Sequence, residues 1–399
     1  MANFPLRSAG RRKWVAVAGI VLAGMLAAAC GSGDADEDAA VGAAPPEANG
    51  STYASAADRG TSNVVDADGS EVAADETVPP RADDPAAGDA DTADAASAVG
   101  EAAEQVVPIP ALSGPVFREV AVWGRDDGNS FTAPNGVAID AGGNVYVTEG
   151  AGDRIQKFTP NGDLITSWGG TGGEPGQLTV PIDVDFDADG LLYISEAGNS
   201  RVQKFTPDGD LVGSFGSHGQ GPGQFFSALA LGISTDQRVY VIDWGGYRVN
   251  VFTTDGEFLF SFGEQGGGDG QFELAQGLGV APNGDVYVAD TENIRVQRFT
   301  SEGEHVATFG TNGFDPGQFR RPARIFINEF LYISDLVADT VAQFHLDGTF
   351  IANVEVRGLR RAHGVAIGDD GRMYIADTGN GVVRVLELIG DGSSEPDAG

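Results

Sequence analysis

One spacing governs this chain. Tyr146, Tyr193, Tyr240, Tyr287, Tyr332 and Tyr374 each sit in a short xYxx(Asp/Glu) segment, with steps of 47, 47, 47, 45 and 42 residues. Gln177, Gln224, Gln271 and Gln318, each in a Gly-Gln-(Phe/Leu) motif, also recur every 47 residues. A fixed period of this size marks a chain built from one supersecondary unit copied along its length. Six copies occupy roughly 131–388. The fourth shows the plan. Gly277 to Ala281 predicts a first strand, Pro282-Asn-Gly284 a turn, Asp285 to Ala289 a second strand, Arg295 to Phe299 a third and His305 to Phe309 a fourth. Nothing in the repeats carries helical periodicity. Four short strands per period with Gly-rich turns predict an all-β, six-bladed β-propeller with four-stranded blades.

The ends of the repeat region predict how the ring closes. The sixth unit supplies strands at Gly364–Ile367, Met373–Asp377 and Val382–Glu387 and then stops. A lone strand, Phe117 to Trp123, precedes the first unit, and its Val-Trp-Gly ending matches the fourth-strand endings at 167–169 and 214–216. The N-terminal strand is therefore expected to complete the sixth blade, leaving no gap in the ring. Segments such as Ala138-Ile-Asp-Ala-Gly-Gly-Asn-Val-Tyr-Val-Thr-Glu149 and Val286-Tyr-Val-Ala-Asp-Thr-Glu-Asn293 resemble NHL repeats, and the resemblance covers nearly all of 116–388. It implies the propeller fold and leaves function open, because such rings serve as enzymes, sensors and binding platforms.

Two segments of different composition precede the ring. Arg7, Arg11, Arg12 and Lys13 are followed by the apolar run Trp14–Ala29, 16 residues long and so short of a spanning helix. It ends in Leu26-Ala-Ala-Ala-Cys30, which resembles a bacterial lipoprotein lipobox. That resemblance implies a signal peptide over 1–29, a lipid on Cys30 as the membrane partner, and an extracytoplasmic, membrane-anchored location. Residues 30–114 read as a disordered acidic tether; 31–105 hold 18 acids against Arg59 and Arg81. A chain of that length reaches roughly 50 Å. The propeller is assigned to 115–389 and a disordered tail to 390–399.

Of the formal charge of −34, the signal contributes +4 and the tether −16, so −22 falls on 106–399. A surface this acidic gains no counterion-release attraction to phosphates, and nucleic acid is not expected as a partner. A single Cys excludes internal disulfides and multi-Cys metal sites.

Every second strand ends in a carboxylate, and in four units an Arg follows five residues later: Glu149 and Arg154, Glu196 and Arg201, Asp243 and Arg248, Asp290 and Arg295. A pair locked to the period predicts a structural ion pair closing the strand connection. Asp335 and Asp377 lack that Arg, having Thr340 and Val382 instead, which makes them somewhat better site candidates. Asp185-Phe-Asp187-Ala-Asp189-Gly190 with Glu196 matches EF-hand spacing. In register, however, Asp189-Gly190 is a turn and Glu196 ends a strand about 16 Å away.

Ligand sites in six-bladed families lie around the channel, on the face that carries the loops entering each blade. The informative positions are polar outliers at the start of each innermost strand: Asn135, Asp183, Asp185, Gln276, Arg324 and His363. Asp183 and Arg324 belong to opposite blades and are expected to pair or to share a polar ligand. His363 is the candidate acid–base group. Relatives resembling amidating lyases use several His around zinc, which this chain cannot assemble at its centre. A carboxylate-rich calcium site, as in lactonase-like propellers, stays open for Asn135, Asp183, Asp185 and Gln276. No other cofactor is expected. The preferred reading is a binding or sensing module for a protein, glycan or small ligand. The alternatives are a metal-assisted lyase or lactone hydrolase, and a structural surface scaffold.

Overall fold

The computed structural model describes residues 115–124 and 130–390. The expected signal segment, Cys30, the tether and all of the tail except Gly390 lie outside the described residues. Six antiparallel four-stranded sheets form the six blades. Blade 1 runs outward through Pro134–Ile139, Val145–Glu149, Arg154–Phe158 and Leu164–Gly169. The innermost strands of blades 2 to 6 are Pro181–Phe186, Ala228–Ile233, Gly277–Val280, Pro322–Ile327 and Ala362–Ile367. Each contacts the next in chain order, and the sixth contacts the first. No α-helix occurs among the described residues; a single 3-10 turn spans Trp244–Gly246.

Closure is as the ends of the repeat predict. Val116–Trp123 pairs antiparallel with Val382–Gly390, with Trp123 opposite Val383 and Phe117 opposite Leu388. The last strand runs three residues beyond Glu387, because Val116 supplies a partner as far as Gly390.

The repeat Tyr is a rivet between blades. All six rings are fully buried, and a buried phenol needs a partner for its hydroxyl. Tyr240 and Tyr287 donate to carbonyls in the outer turn of the next blade, Ser301 at 3.0 Å and Leu346 at 2.6 Å. Tyr146 and Tyr193 share their one proton between such a carbonyl, Pro207 at 3.2 Å and Thr254 at 3.0 Å, and a carboxylate of their own blade, Asp140 at 2.9 Å and Asp187 at 3.0 Å.

The repeat Gln shapes the loop entering each blade. Gln177, Gln224, Gln271 and Gln318 each accept the N–H of the residue three earlier, at 2.9–3.1 Å. The Gly before each Gln has φ between +69° and +83°, a conformation that only Gly adopts cheaply.

Candidate functional site

The strand-ending carboxylates do more than pair with Arg. In all six blades the acid accepts a backbone N–H from the loop entering its own blade: Thr132 to Glu149, Thr179 to Glu196, Phe226 to Asp243, Glu273 to Asp290, Arg320 to Asp335 and Arg360 to Asp377. Where the Arg is present it contacts the same carboxylate, at 2.5 Å in blade 1, 2.6 Å in blade 2, 3.2 Å in blade 3 and 2.7 Å in blade 4. In blades 2 to 4 it also donates onward to carbonyls of the entering loop, as Arg201 does to Gln177.

Asp335 and Asp377 are no freer than the rest, which corrects the expectation drawn from their missing Arg. Asp335 also accepts from Arg321, Val337 and Ala338 N–H groups. Asp377 accepts from Arg384 at 2.8 Å and Asn380 at 2.7 Å. Asp187 behaves as a turn residue, its Oδ1 accepting the N–H groups of Asp189 and Leu191.

A cavity of about 310 Å³ lies on the ring axis, walled by all six innermost strands. Its walls are the second halves of those strands, so it occupies the part of the channel nearer their outgoing turns. A collar of one apolar residue per blade ends it: Ile139, Phe186, Ile233, Val280, Ile327 and Ile367. Asp183, Asp185 and Arg324 are the charged residues on its walls.

Both aspartates bridge blades 2 and 3. The innermost strand of a propeller is a sheet edge whose outward N–H groups lack a ladder partner. Asp183 Oδ2 accepts from Leu231 N–H at 3.3 Å, and Asp185 Oδ2 accepts from Ile233 N–H at 2.9 Å. Their other oxygens accept from Val184 and Phe186 N–H groups. Their exposed surface faces the channel rather than bulk solvent, so burial raises both acids. Asp185 is pushed up to about 7, with the neighbouring Asp183 and Asp187 charges adding to the effect. For Asp183, the Arg324 charge works against the rise.

The other half of the channel is a plug. Asn135, Gln276, Arg324 and His363 are 4%, 7%, 4% and 3% exposed. Arg324 extends from blade 5 to donate Nη2 to Asn135 Oδ1 in blade 1 at 2.9 Å, and Nη1 to the Gln276 carbonyl in blade 4. No ion pair within 4.0 Å joins Arg324 to Asp183 among the described residues; their interaction is through space only. Of the six residues singled out in sequence, Asp183, Asp185 and Arg324 share the cavity, whereas Asn135, Gln276 and His363 pack behind it.

The same register explains the glycines around the plug. A Cβ on Gly277 would overlap the Ala323 carbonyl oxygen, and one on Gly364 the Asn135 carbonyl oxygen. Inner strands approach too closely there for a side chain.

His363 Nδ1 lies 3.1 Å from the Arg361 carbonyl oxygen, the distance of a donated hydrogen bond. Burial, followed by the Arg324 charge, pushes its pKa down to about 3. It is neutral at physiological pH and has no surface on the cavity. Asn135 Oδ1 is held by a guanidinium, a poor neighbour for a divalent cation. Among the described residues no three His, Cys, Asp or Glu side chains converge as a metal-binding group.

Residues 272–299, which span the first three strands of blade 4, match the NHL repeat family. The chain is a six-bladed propeller carrying an NHL repeat. Similar solved structures include a streptogramin B lyase, 13% identical with a TM-score of 0.51, covering 68% of this chain and 98% of that one. A gluconolactonase from Xanthomonas campestris is 15% identical with a TM-score of 0.51, covering 68% of this chain and 98% of its own. At such identities the likeness to this NHL propeller is one of fold. A search of the curated proteins finds no match.

Proposed function

We propose that this protein is an extracytoplasmic, lipid-anchored binding module whose NHL propeller holds a small cationic ligand in its channel. One observation carries the reading. The cavity is walled by all six blades, and two carboxylates, Asp183 and Asp185, stand together on one wall, outnumbering the single guanidinium of Arg324, which is turned to its partners Asn135 and Gln276. Its volume is at the lower end of the range for small-molecule sites, and a few convergent polar groups in an enclosed cleft are what fixes a ligand's orientation in one. Backbone N–H groups hold both carboxylates in place, so little ordering is required when a ligand enters. An ammonium group would sit against them and its alkyl part against the collar. The acidic tether and Cys30 would keep the propeller near a membrane yet free to sample solutes.

The test is calorimetric titration of the full chain with butylammonium and hexylammonium, using pentanol as the uncharged control. Binding of the ammonium ions in preference to the alcohol, lost in Asp183→Asn and in Asp185→Asn, is expected. Equal or absent binding of all three probes overturns the reading.

A second reading has one observation in its favour. A carboxyl with a pKa near 7 on a cavity wall suits acid–base work. Asp185, rather than the enclosed His363, would then serve a lactone hydrolase. Lactone turnover that rises with an apparent pKa near 7 and disappears in Asp185→Asn would favour it over simple binding.

A further inference from the structure

The positive charge of the folded part is unevenly placed. Eighteen Lys and Arg residues fall in 106–399, and six of them lie between 320 and 361. All eleven described Lys and Arg residues outside that stretch are ion-paired with Asp or Glu. Inside it, Arg321 pairs with Glu292 at 2.8 Å. Among the described residues Arg320, Arg357 and Arg360 form no ion pair. Arg357 and Arg360 are exposed and Arg320 is half-buried. Burial, followed by the Arg321 charge, depresses the pKa of Arg361. These residues lie in the loops entering blades 5 and 6, on the face away from the channel cavity.

The same face carries apolar surface that folding does not use. Phe314 is 73% exposed and Val337 is 51% exposed. Every other exposed large apolar side chain among the described residues lies in a blade's fourth strand, or, for Leu388 and Ile389, at the end of the third strand of blade 6. Phe314 is in the loop entering blade 5 and Val337 in the loop after that blade's second strand, and these two kinds of loop share one face of a propeller. Phe314 stands where the earlier loops have Gly173, Gln220 and Gly267. The Arg320 guanidinium lies over its ring, 4.9 Å from the centroid. The loop is also released from the usual anchor. In blades 2 to 4 the third-strand Arg ties the loop down through its carbonyls, and blade 5 has Thr340 at that position. Arg320 Nε and Arg321 Nε are buried without a hydrogen-bond partner.

We propose that Phe314, Val337, Arg320, Arg357 and Arg360 form a docking surface for an acidic polypeptide segment that carries an aromatic or aliphatic residue. Exposed aromatic and arginine side chains set side by side are the composition of interface hot spots. Arginines without an intramolecular ion pair lose none when a carboxylate arrives, and they present forked donors to it; Arg320 is held meanwhile by a hydrogen bond to Asn312 Oδ1 at 2.8 Å. A protein otherwise strongly negative would repel acidic segments everywhere else, so charge would select both the partner and the face.

The experiment is fluorescence anisotropy on the full chain with a labelled peptide of alternating Glu and Asp around a central Phe. Its two controls are the same peptide with Gln and Asn for the acids, and with Ser for Phe. Tighter binding of the acidic aromatic peptide than of either control is expected, with affinity falling about tenfold in Phe314→Ala and in the Arg357→Ala/Arg360→Ala pair. Raised salt should weaken binding to the parent protein more than to the arginine variant. Both variants alter exposed side chains, and an unchanged melting temperature shows that the ring is intact. Equal binding of all three peptides overturns the proposal. Heparin or phosphatidylglycerol vesicles bound as tightly, with no dependence on Phe314, also overturn it, because the face would then be a plain anion exchanger. Asp183→Asn should leave this binding unchanged, which separates the proposal from the channel reading.

Discussion

Arg324 in blade 5 donates to Asn135 Oδ1 in blade 1 at 2.9 Å, with blade 6 between them in the ring. Its other terminal nitrogen donates to the Gln276 carbonyl in blade 4. One side chain thus ties three blades across the axis, whereas the expected partner Asp183 engages the edge of blade 3. A double-mutant cycle on urea unfolding should show Arg324→Met and Asn135→Ala coupled by about 1–2 kcal/mol. The cycle of Arg324→Met with Asp183→Asn should show less, since no hydrogen bond joins that pair. Additivity in the first cycle would remove the tie from the account of the channel.

Much of this was legible in the sequence because a repeat converts spacing into geometry. The Tyr period gave the blade count, the strand-ending acids gave a register for each blade, and the Val-Trp-Gly echo at 122–124 gave the clasp. What spacing could not give was the end of the channel at which each polar residue lies. Arg324 shares its register with Gly136 and Gly277, yet its long side chain reaches into a plug two blades away, and register says nothing about reach. The loop arginines Arg320, Arg321, Arg357, Arg360 and Arg361 belong to no repeating motif. Their signal was local composition, six cations within 42 residues of an otherwise acidic domain.

The period-locked acids predict unequal responses to one kind of change. Glu196 accepts from Thr179 N–H at 3.0 Å and from Asn199, Arg201 and Gln203 side chains at 2.6–2.8 Å. Glu196→Ala leaves a largely buried guanidinium and two amides without their acceptor and should cost about 3–5 kcal/mol. Asp335 serves backbone donors only, so Asp335→Ala should cost less, about 1–3 kcal/mol. Chemical denaturation of the two variants side by side checks the order.

Two channel residues should give stability opposite pH slopes. Asp185 is raised to about 7 in the fold, above its unfolded value, so the native state holds the proton more tightly. Its contribution is full below the unfolded pKa, near 4, and is lost as pH rises through about 7. His363 is lowered to about 3, so the unfolded state binds the proton more tightly. Its contribution is present above about 6.5 and is lost as pH falls toward 3. Melting temperatures from pH 4 to 8 should therefore decline less with rising pH in Asp185→Asn. In His363→Gln they should decline less with falling pH. Parallel curves for all three proteins would rule out both assignments.

The lipobox resemblance at Cys30 makes a separate prediction about location. Palmitate labelling of cells producing the full chain should mark the protein, and Cys30→Ser should abolish the label and move the protein from the membrane fraction to the soluble one. Label retained in the variant would place the anchor elsewhere.

The clasp is the one seam of the ring closed by strand pairing with a segment from the other end of the fold, and Trp123 sits on it. Its ring lies 5.5 Å from Phe158 in blade 1 and 5.3 Å from Tyr374 in blade 6, so a single side chain packs both sides of the seam. Trp168 is its counterpart one blade on, lying 6.2 Å from Tyr146 and 6.3 Å from Phe205. Removing the buried Trp123 ring should cost about 3–5 kcal/mol, and removing the half-buried Trp168 ring less. The two losses should differ in where they are felt. Trp123→Ala weakens the hold on Val116–Trp123, and the amides of Val382–Gly390 that pair with it should exchange faster in deuterium than those of blade 3. Trp168→Ala disturbs a junction held by continuous chain and should leave exchange at Val382–Gly390 unchanged. Equal acceleration at that strand in both variants would mean that the ring opens as a whole and that the N-terminal strand is no weaker a closure than any other junction.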